Sequence, residues 1–77
     1  MIDAALIAIG ERLRDAREHR GISQHELGRR VGCARSTVSN LEAGRFAPSV
    51  RMLLAISEAL NITFIIEVPA RENDAPA

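Results

Sequence analysis

Two helix-forming segments separated by a glycine most strongly limit what this chain can fold into. They lie in the stretch SQHELGRRVGCARSTVSNLEAGR, from Ser23 to Arg45. Ser23 and Glu26 have the spacing of a capping box, in which the serine hydroxyl accepts a hydrogen bond from one free backbone N–H and the glutamate carboxylate from another. Gly32 supplies the left-handed backbone that a sharp turn into a further helix needs. The pattern predicts helices over residues 24–31 and 35–43.

Apolar spacing and capping residues predict one further helix on each side of this pair. Residues 3–20 carry apolar side chains three and four positions apart, with Asp3 as the N-cap. Residues 50–60 follow Ser49, a good N-cap, and precede Asn61, which suits a left-handed position after a helix. The buried stripe predicted for this last helix is Val50, Leu53, Ile56 and Leu60.

Residues 62–68, ITFIIEV, are rich in β-branched and aromatic side chains, which predicts a single strand. Its predicted apolar face consists of Ile62, Phe64, Ile66 and Val68. A strand without a partner in its own chain exposes a backbone edge, and antiparallel pairing with a second copy across a two-fold axis is the simplest way to cover it. The alternative is an extended segment that packs on the first and fourth helices of its own subunit. Residues 69–77 lack an apolar pattern and are predicted to be a disordered tail.

The distribution of charge indicates an anionic partner, although the chain as a whole is neutral. Residues 12–51 contain nine arginines and four acidic residues, whereas the formal net charge of all 77 residues is zero. Because salt screens charge effects beyond about 10 Å, a local basic face can attract phosphates in a neutral protein. A chain of this length forms one domain and buries only about 60% of its unfolded surface, so a second subunit would stabilise it.

Other classes of protein lack support in the sequence. Cys33 is the only cysteine, which excludes an internal disulfide and a cysteine-based zinc site, and we expect it to be an inert small residue. His19 and His25 have no third ligand at a recognised spacing, and neither a catalytic triad nor a phosphate-binding glycine loop occurs. No apolar run reaches about 18 residues and the first residues lack a basic segment, so neither membrane insertion nor export is indicated. We expect a cytoplasmic, non-enzymatic protein that binds no metal and no cofactor.

The longer stretch SQHELGRRVGCARSTVSNLEAGRFAPS resembles the Xre/Cro family of bacterial and phage repressors. The residues that carry the resemblance are Gln24, Leu27, Gly32, Arg35, Ser36, Thr37, Leu41, Glu42, Gly44 and Pro48. The resemblance implies a mostly α fold, with a four-helix, lambda-repressor-like helix-turn-helix domain over residues 1–61. The strand predicted over 62–68 follows this domain and is expected to pair across a homodimer. In such domains the second helix of the motif enters the major groove of DNA. We therefore expect a sequence-specific transcriptional regulator, most simply a repressor, that binds an inverted repeat as a homodimer.

The resemblance also implies which side chains contact double-stranded DNA. The implied base contacts are Arg35, Ser36, Ser39 and Asn40. Side-chain chemistry agrees, because arginine can pair with guanine O6 and N7, asparagine can pair with adenine, and serine lets the helix approach closely; the alternative is a solvated polar face. Gln24 and Arg45 are the implied phosphate contacts, which position a protein without specifying sequence. Arg17 and Glu42 correspond to an internal salt bridge that orients the third helix.

Two alternative functions involve a protein partner. A small helix-turn-helix domain that ends in a strand and a short tail resembles antitoxins of the HipB type, which dimerise through that strand, bind their own operator and hold a toxin. The chain would then be an antitoxin that neutralises a toxin protein, and a neighbouring toxin-like reading frame would support this function. The other alternative is a subunit that uses the fold only for protein contacts, which absence of binding to its own promoter and to selected duplexes would support.

Overall fold

The computed structural model describes residues 3–65, which form four helices. These are α1 (Ala4–His19), α2 (Gln24–Val31), α3 (Arg35–Glu42) and α4 (Val50–Leu60). The predicted mostly α, four-helix fold is confirmed, and each helix begins and ends within one residue of its predicted position. Residues 62–65 continue from α4 without regular secondary structure. Residues 66–68 of the expected strand and the expected tail over 69–77 lie outside the described residues, so the strand and the tail stay predictions.

Side-chain caps start α1, α2 and α4, as the sequence predicts. Asp3 accepts hydrogen bonds from two backbone N–H groups in the first turn of α1, at 2.9 and 3.3 Å. Ser23 Oγ accepts from the backbone N–H three residues further on at 3.0 Å, and Ser49 Oγ does the same at 3.1 Å. Each cap satisfies a backbone donor that has no partner inside its helix, and losing one such cap costs about 1 kcal/mol.

The second half of the predicted capping box is wrong. The Glu26 carboxylate does not turn back to the backbone of Ser23 but accepts hydrogen bonds from Arg29 and Arg30, at 2.7 and 3.4 Å. Arg29 donates to both carboxylate oxygens with a group of opposite charge, whereas the backbone of Ser23 offers a single neutral N–H. The hydrogen bond from Arg29 is the main reason that the pKa of Glu26 falls to about 2. Glu26 therefore neutralises arginines of α2 instead of capping the helix.

All four helices end in the same backbone motif, in which an N–H beyond the helix donates to the carbonyl five residues earlier. The donor and acceptor pairs are Ile22 to Arg17 at 3.2 Å, Cys33 to Gly28 at 2.9 Å, Arg45 to Asn40 at 3.0 Å and Ile62 to Ser57 at 3.0 Å. A residue with positive φ precedes each donor: Gly21, Gly32, Gly44 and Asn61. After α1, α2 and α4 the donor packs against the core, whereas after α3 it is Arg45, which is exposed.

The core takes at least one side chain from each helix. Its fully buried members are Leu13, Leu27, Val38, Leu41, Ile56 and Leu60. The stripe predicted for α4 is correct at Ile56 and Leu60, only half-buried at Leu53 and wrong at Val50, which is 66% exposed. Because successive residues of a helix are rotated by about 100°, Val50 lies about 100° away from the direction midway between Ile56 and Leu60. There it neighbours Leu54, which is 61% exposed.

Two glycines inside helices allow backbones to approach closely, and sequence analysis did not single them out. A Cβ on Gly10 of α1 would lie 2.5 Å from the carbonyl oxygen of Glu42 and 2.6 Å from that of Leu41. A Cβ on Gly28 of α2 would lie 2.6 Å from the carbonyl oxygen of Cys33. A glycine inside a helix lowers the stability of that helix by about 1 kcal/mol relative to alanine. At Gly10 the close packing of α1 on α3 offsets this loss of helix stability.

A buried ion pair joins α1 to α3. Arg17 Nε donates to Glu42 Oε2 at 2.6 Å, and Arg17 Nη2 donates to Glu42 Oε1 at 3.0 Å. A third donor of the guanidinium, Nη1, bonds the carbonyl oxygen of Ile22 at 2.8 Å. The hydrogen bond to Glu42 raises the pKa of Arg17 above its ordinary value, so the arginine is always charged. Within residues 3–65 every buried side-chain nitrogen and oxygen has a hydrogen-bond partner, which is the condition for a buried pair to hold its helices in place.

Replacing Gly10 with alanine should destabilise the protein, although alanine is the better helix former. Propensity alone predicts a gain of about 1 kcal/mol, whereas the added Cβ would overlap the backbone of α3 and should cost about 1 to 3 kcal/mol. Urea unfolding followed by circular dichroism measures the difference. Ala8→Gly, at an exposed position of the same helix, is the control for propensity. A stabilised Gly10→Ala variant would contradict the close contact between α1 and α3.

Removing one member of the buried ion pair should cost more than removing both. Arg17→Met leaves the Glu42 carboxylate buried without its main partner, and such changes typically cost about 3 to 5 kcal/mol. The double variant Arg17→Met/Glu42→Met leaves no buried charge and should regain most of that loss. Urea unfolding of the wild type, both single variants and the double variant gives the coupling energy.

The control for this experiment is Arg29→Met, which makes the same substitution at an exposed arginine that forms an ion pair with Glu26. That variant should cost far less, because water screens an exposed pair. If Arg17→Met and Glu42→Met cost no more than this control, the buried pair does not hold α3 to α1.

Candidate nucleic-acid interface

A compact turn sets the angle between α2 and α3. Gly32 has a φ of 81°, a backbone conformation that side chains other than glycine rarely adopt. The backbone nitrogens of Gly32 and Cys33 both donate to the carbonyl oxygen of Gly28, at 2.8 and 2.9 Å. Gly28 lies directly against the carbonyl of Cys33 and has no room for a side chain, whereas at Gly32 the positive φ, and not a lack of space, favours glycine. The orientation of α3 relative to α2 is therefore fixed by backbone contacts.

One side of α3 faces the core and the other carries the predicted base contacts. Val38, Leu41 and Glu42 are buried. The four predicted base contacts lie within a sector of about 140°, at about 100° of rotation per residue. Of these, Arg35 and Ser36 are exposed, while Ser39 and Asn40 are half-buried. The structure therefore brings all four together on one side of the helix, with the most accessible pair at its start.

The start of α3 lacks a side-chain cap, because the N-cap residue is Ala34, whose side chain has no hydrogen-bond acceptor. The carbonyl oxygen of Ala34 accepts from the backbone nitrogens of Thr37 and Val38, at 3.0 and 3.3 Å. The first backbone N–H groups of α3, at Arg35 and Ser36, have no such intrahelical partner. These donors and the positive end of the helix dipole therefore accompany the two most exposed predicted base contacts.

The structure joins one predicted base contact to one predicted phosphate contact. Arg45 Nη1 donates to Asn40 Oδ1 at 2.8 Å, and the backbone N–H of Arg45 donates to the carbonyl oxygen of Asn40 at 3.0 Å. The roles predicted for these two residues from the sequence are separate. The spacing of five residues across the end of α3 is the signal that could have linked them, since the backbone motif that ends the helix brings these two positions together.

Gln24, the other predicted phosphate contact, is attached to the buried ion pair. Its Nε2 atom donates to Glu42 Oε1 at 3.1 Å. A glutamine amide has two N–H donors, so one remains for a phosphate at the start of α2. The role predicted for Gln24 is separate from that of Arg17 and Glu42, because no sequence spacing links residues 18 positions apart. The contact makes one network of α1, α2 and α3.

Unbalanced positive charge flanks α3 at both ends. The ion pairs within residues 3–65 involve the arginines Arg17, Arg29 and Arg30. Arg35 begins α3 and Arg45 follows its end, and neither has a carboxylate partner in that part of the chain. Both charges therefore stay available to an anion that lies along α3.

Other kinds of site have little support among the described residues. Burial raises the pKa of the half-buried Cys33 thiol, which makes a reactive thiolate scarcer at neutral pH. Within residues 3–65 no group of three or more His, Cys, Asp and Glu side chains could hold a metal ion. None of the helices in that range has the length and apolar character needed to cross a membrane.

Comparison with known proteins identifies the same motif. The family model described as helix-turn-helix matches residues 13–65, which include the whole of α2, α3 and α4. A protein of Methanothermobacter thermautotrophicus, named as an uncharacterized HTH-type transcriptional regulator, is 36% identical over 62 residues. That match covers 80% of this chain and 90% of the relative.

Two solved structures share the fold. The restriction-modification controller protein C.AhdI from Aeromonas hydrophila superimposes with a TM-score of 0.77 at 36% identity, covering 79% of this chain and 92% of that one. The clp gene regulator ClgR from Corynebacterium glutamicum has a TM-score of 0.76 at 27% identity, covering 82% and 67%. The chain therefore belongs to the Xre-type helix-turn-helix family, and it is a non-enzymatic transcriptional regulator with a helix-turn-helix DNA-binding domain.

Proposed function

We propose that this regulator is a repressor that binds an inverted-repeat operator as a homodimer, with α3 of each subunit in the major groove. The observation that carries the proposal is the division of α3 into two sides. Val38 and Leu41 anchor one side in the core, while Arg35 and Ser36 stand exposed at the start of the other. An anchored helix with short polar side chains and one arginine outward matches the shape and donor pattern of the major groove.

The need for two copies follows from the length of α3. Its eight residues span about 12 Å, so a single helix contacts only a few base pairs. Two copies whose recognition helices lie about 34 Å apart would contact two successive major grooves on one face of the duplex. Ile62 to Ile65 supply the start of a connection between copies, because Ile62 and Phe64 pack inward while Thr63 and Ile65 are exposed.

This alternation makes the two sequence-based alternatives for residues 62–68 compatible with each other. The inward side chains pack against their own core, as in the alternative with a single subunit. The backbone hydrogen-bonding groups of an extended segment point sideways, along the sheet direction and not toward the core. The segment can therefore pack on its own subunit and pair with a second copy at the same time.

The similar structures favour gene regulation over toxin neutralisation, because their names describe a restriction-modification controller and a clp gene regulator. The antitoxin function stays a sequence-based alternative. Co-purification with the product of a neighbouring toxin-like reading frame would support it.

Selection of bound duplexes from a random pool tests the proposal directly. The wild-type protein should enrich an inverted repeat with half-site centres about 34 Å, or one helical turn, apart. Arg35→Ala should lose discrimination at one symmetric pair of base positions, by about 1 to 3 kcal/mol in each half-site. Quantitative binding to the selected operator and to single-base variants measures this loss.

The matched control is Arg51→Ala, which removes an exposed arginine of α4 that lies outside the recognition helix. It should weaken binding to all sequences alike, because only general attraction to phosphates is lost. Uniform weakening by Arg35→Ala as well would remove Arg35 from the base contacts. A pool without any enriched sequence would contradict the proposed operator binding.

Dimerisation should depend on backbone donors between residues 62 and 68. In an antiparallel pair the N–H groups of alternate residues face the neighbouring strand, so one of the two variants Ile65→Pro and Ile66→Pro must remove a pairing donor whichever register is used. That variant should be a monomer at micromolar concentration, as measured by light scattering. Ile65→Thr keeps the N–H and should stay a dimer. A monomeric wild type, or two dimeric proline variants, would contradict strand pairing.

A further inference from the structure

The backbone at the end of α3 holds Arg45 beside Asn40. The N–H of Gly44 donates to the carbonyl oxygen of Leu41 and the N–H of Arg45 to that of Asn40, both at 3.0 Å. Gly44 has a φ of 73°, and a Cβ there would lie 2.8 Å from the backbone of Ile7. The chain reversal after α3 is therefore fixed both by its own hydrogen bonds and by its contact with α1.

The residue at this position differs in kind from its counterparts in the other three helices, which end in the same way. After α1, α2 and α4 the corresponding residues are Ile22, Cys33 and Ile62, which pack against the core. Such an apolar contact commonly accompanies the motif. After α3 the residue is Arg45, which is exposed and directs its guanidinium to the Asn40 side chain. A polar contact thus replaces an apolar one at the one helix that carries the predicted base contacts.

The hydrogen bond decides which way the Asn40 amide is turned. A guanidinium has five donors and no acceptor, so the atom that faces it must be the amide oxygen. Arg45 Nη1 lies 2.8 Å from Asn40 Oδ1. The amide nitrogen, with its two donors, is then the end of the side chain that is left for another partner.

We propose that Arg45 is a positioning residue. Its hydrogen bond to the amide oxygen of Asn40 leaves the Asn40 amide nitrogen to donate to a base, while the remaining guanidinium N–H groups of Arg45 contact a phosphate. The inference rests on the proposed function, because it assumes that α3 enters the major groove. It assigns Arg45 a part in sequence recognition that a simple phosphate contact does not have. Arg45 thereby couples a contact with the DNA backbone to a contact with a base.

The coupling has a consequence for base preference. A fixed donor suits bases that present an acceptor in the major groove, which are guanine, adenine and thymine, and it disfavours cytosine, which presents only the N4 donor. An amide that turns freely could offer its oxygen to cytosine instead. Arg45 therefore makes the base position opposite Asn40 discriminate against cytosine.

Binding to operator variants tests this inference. The relevant base position is the one whose preference disappears in Asn40→Ala. There the wild type should bind the cytosine variant about tenfold or more weakly than the best base, which is within the usual discrimination of one base contact. Arg45→Met should reduce this difference to less than about threefold, in addition to weakening binding overall. At this position the double variant Asn40→Ala/Arg45→Met should show the same base preference as Asn40→Ala alone, because both changes remove the oriented contact between Asn40 and the base.

Arg51→Met is the matched control, since it removes the same charge from an exposed arginine that does not contact Asn40. It should weaken binding but keep the discrimination against cytosine. If Arg45→Met also keeps that discrimination, Arg45 contacts phosphate only and the inference is wrong.

A second measurement needs no DNA and so separates failure of the inference from failure of the proposed function. In the ¹⁵N spectrum of the free protein, Arg45→Met should shift the side-chain amide signal of Asn40 while that of Asn61 stays unchanged, because only the Asn40 oxygen loses a donor. An unshifted Asn40 signal would overturn the inference even if an operator is found. A shifted signal in a protein that selects no sequence would place the failure in the proposed function. Circular dichroism of the variant checks that the helices are intact.

Discussion

The position of α3 depends on the ion pair between Arg17 and Glu42 more than on any other single contact. Two hydrogen bonds join these side chains, and the same carboxylate accepts a third from Gln24. One buried group therefore links α1, the start of α2 and the end of α3. A packed apolar surface could slide, but a carboxylate with three directed bonds has one favourable position. Gly10 lets the backbones meet closely beside it, and Gly32 fixes the angle at the other end of α3.

Local sequence signals predicted the helices well, because these signals act within one turn of chain. Ser23 and Ser49 cap helices through backbone groups three residues away, and Asn61 ends α4 through its own left-handed conformation. Such interactions depend little on the rest of the fold. The division of α3 into a buried and an exposed side was also predictable, since the spacing of Val38 and Leu41 already indicates it.

Errors and omissions occur where distant or competing contacts decide the outcome. Glu26 could have bonded either the backbone or the arginines further along α2, and it bonds the arginines, which offer several donors of opposite charge. Val50 is exposed because no other element within residues 3–65 covers its side of α4, which helix periodicity alone does not reveal. The contact between Gln24 and Glu42 joins residues that are far apart in sequence. These features follow from tertiary packing, which a pattern of spacing does not encode.

The pairing of charges explains how a chain with no net charge can carry a DNA-binding helix. Glu42 forms an ion pair with Arg17 inside the protein, and Glu26 forms ion pairs with Arg29 and Arg30 on α2. These acidic residues therefore do not oppose the arginines at the two ends of α3. Arg35 begins α3 and Arg45 follows its end, so both charges lie next to the groove that α3 would enter, and salt screens charges more strongly beyond about 10 Å. The distribution of ion pairs, and not the total charge, thus determines the field that a phosphate backbone meets along α3.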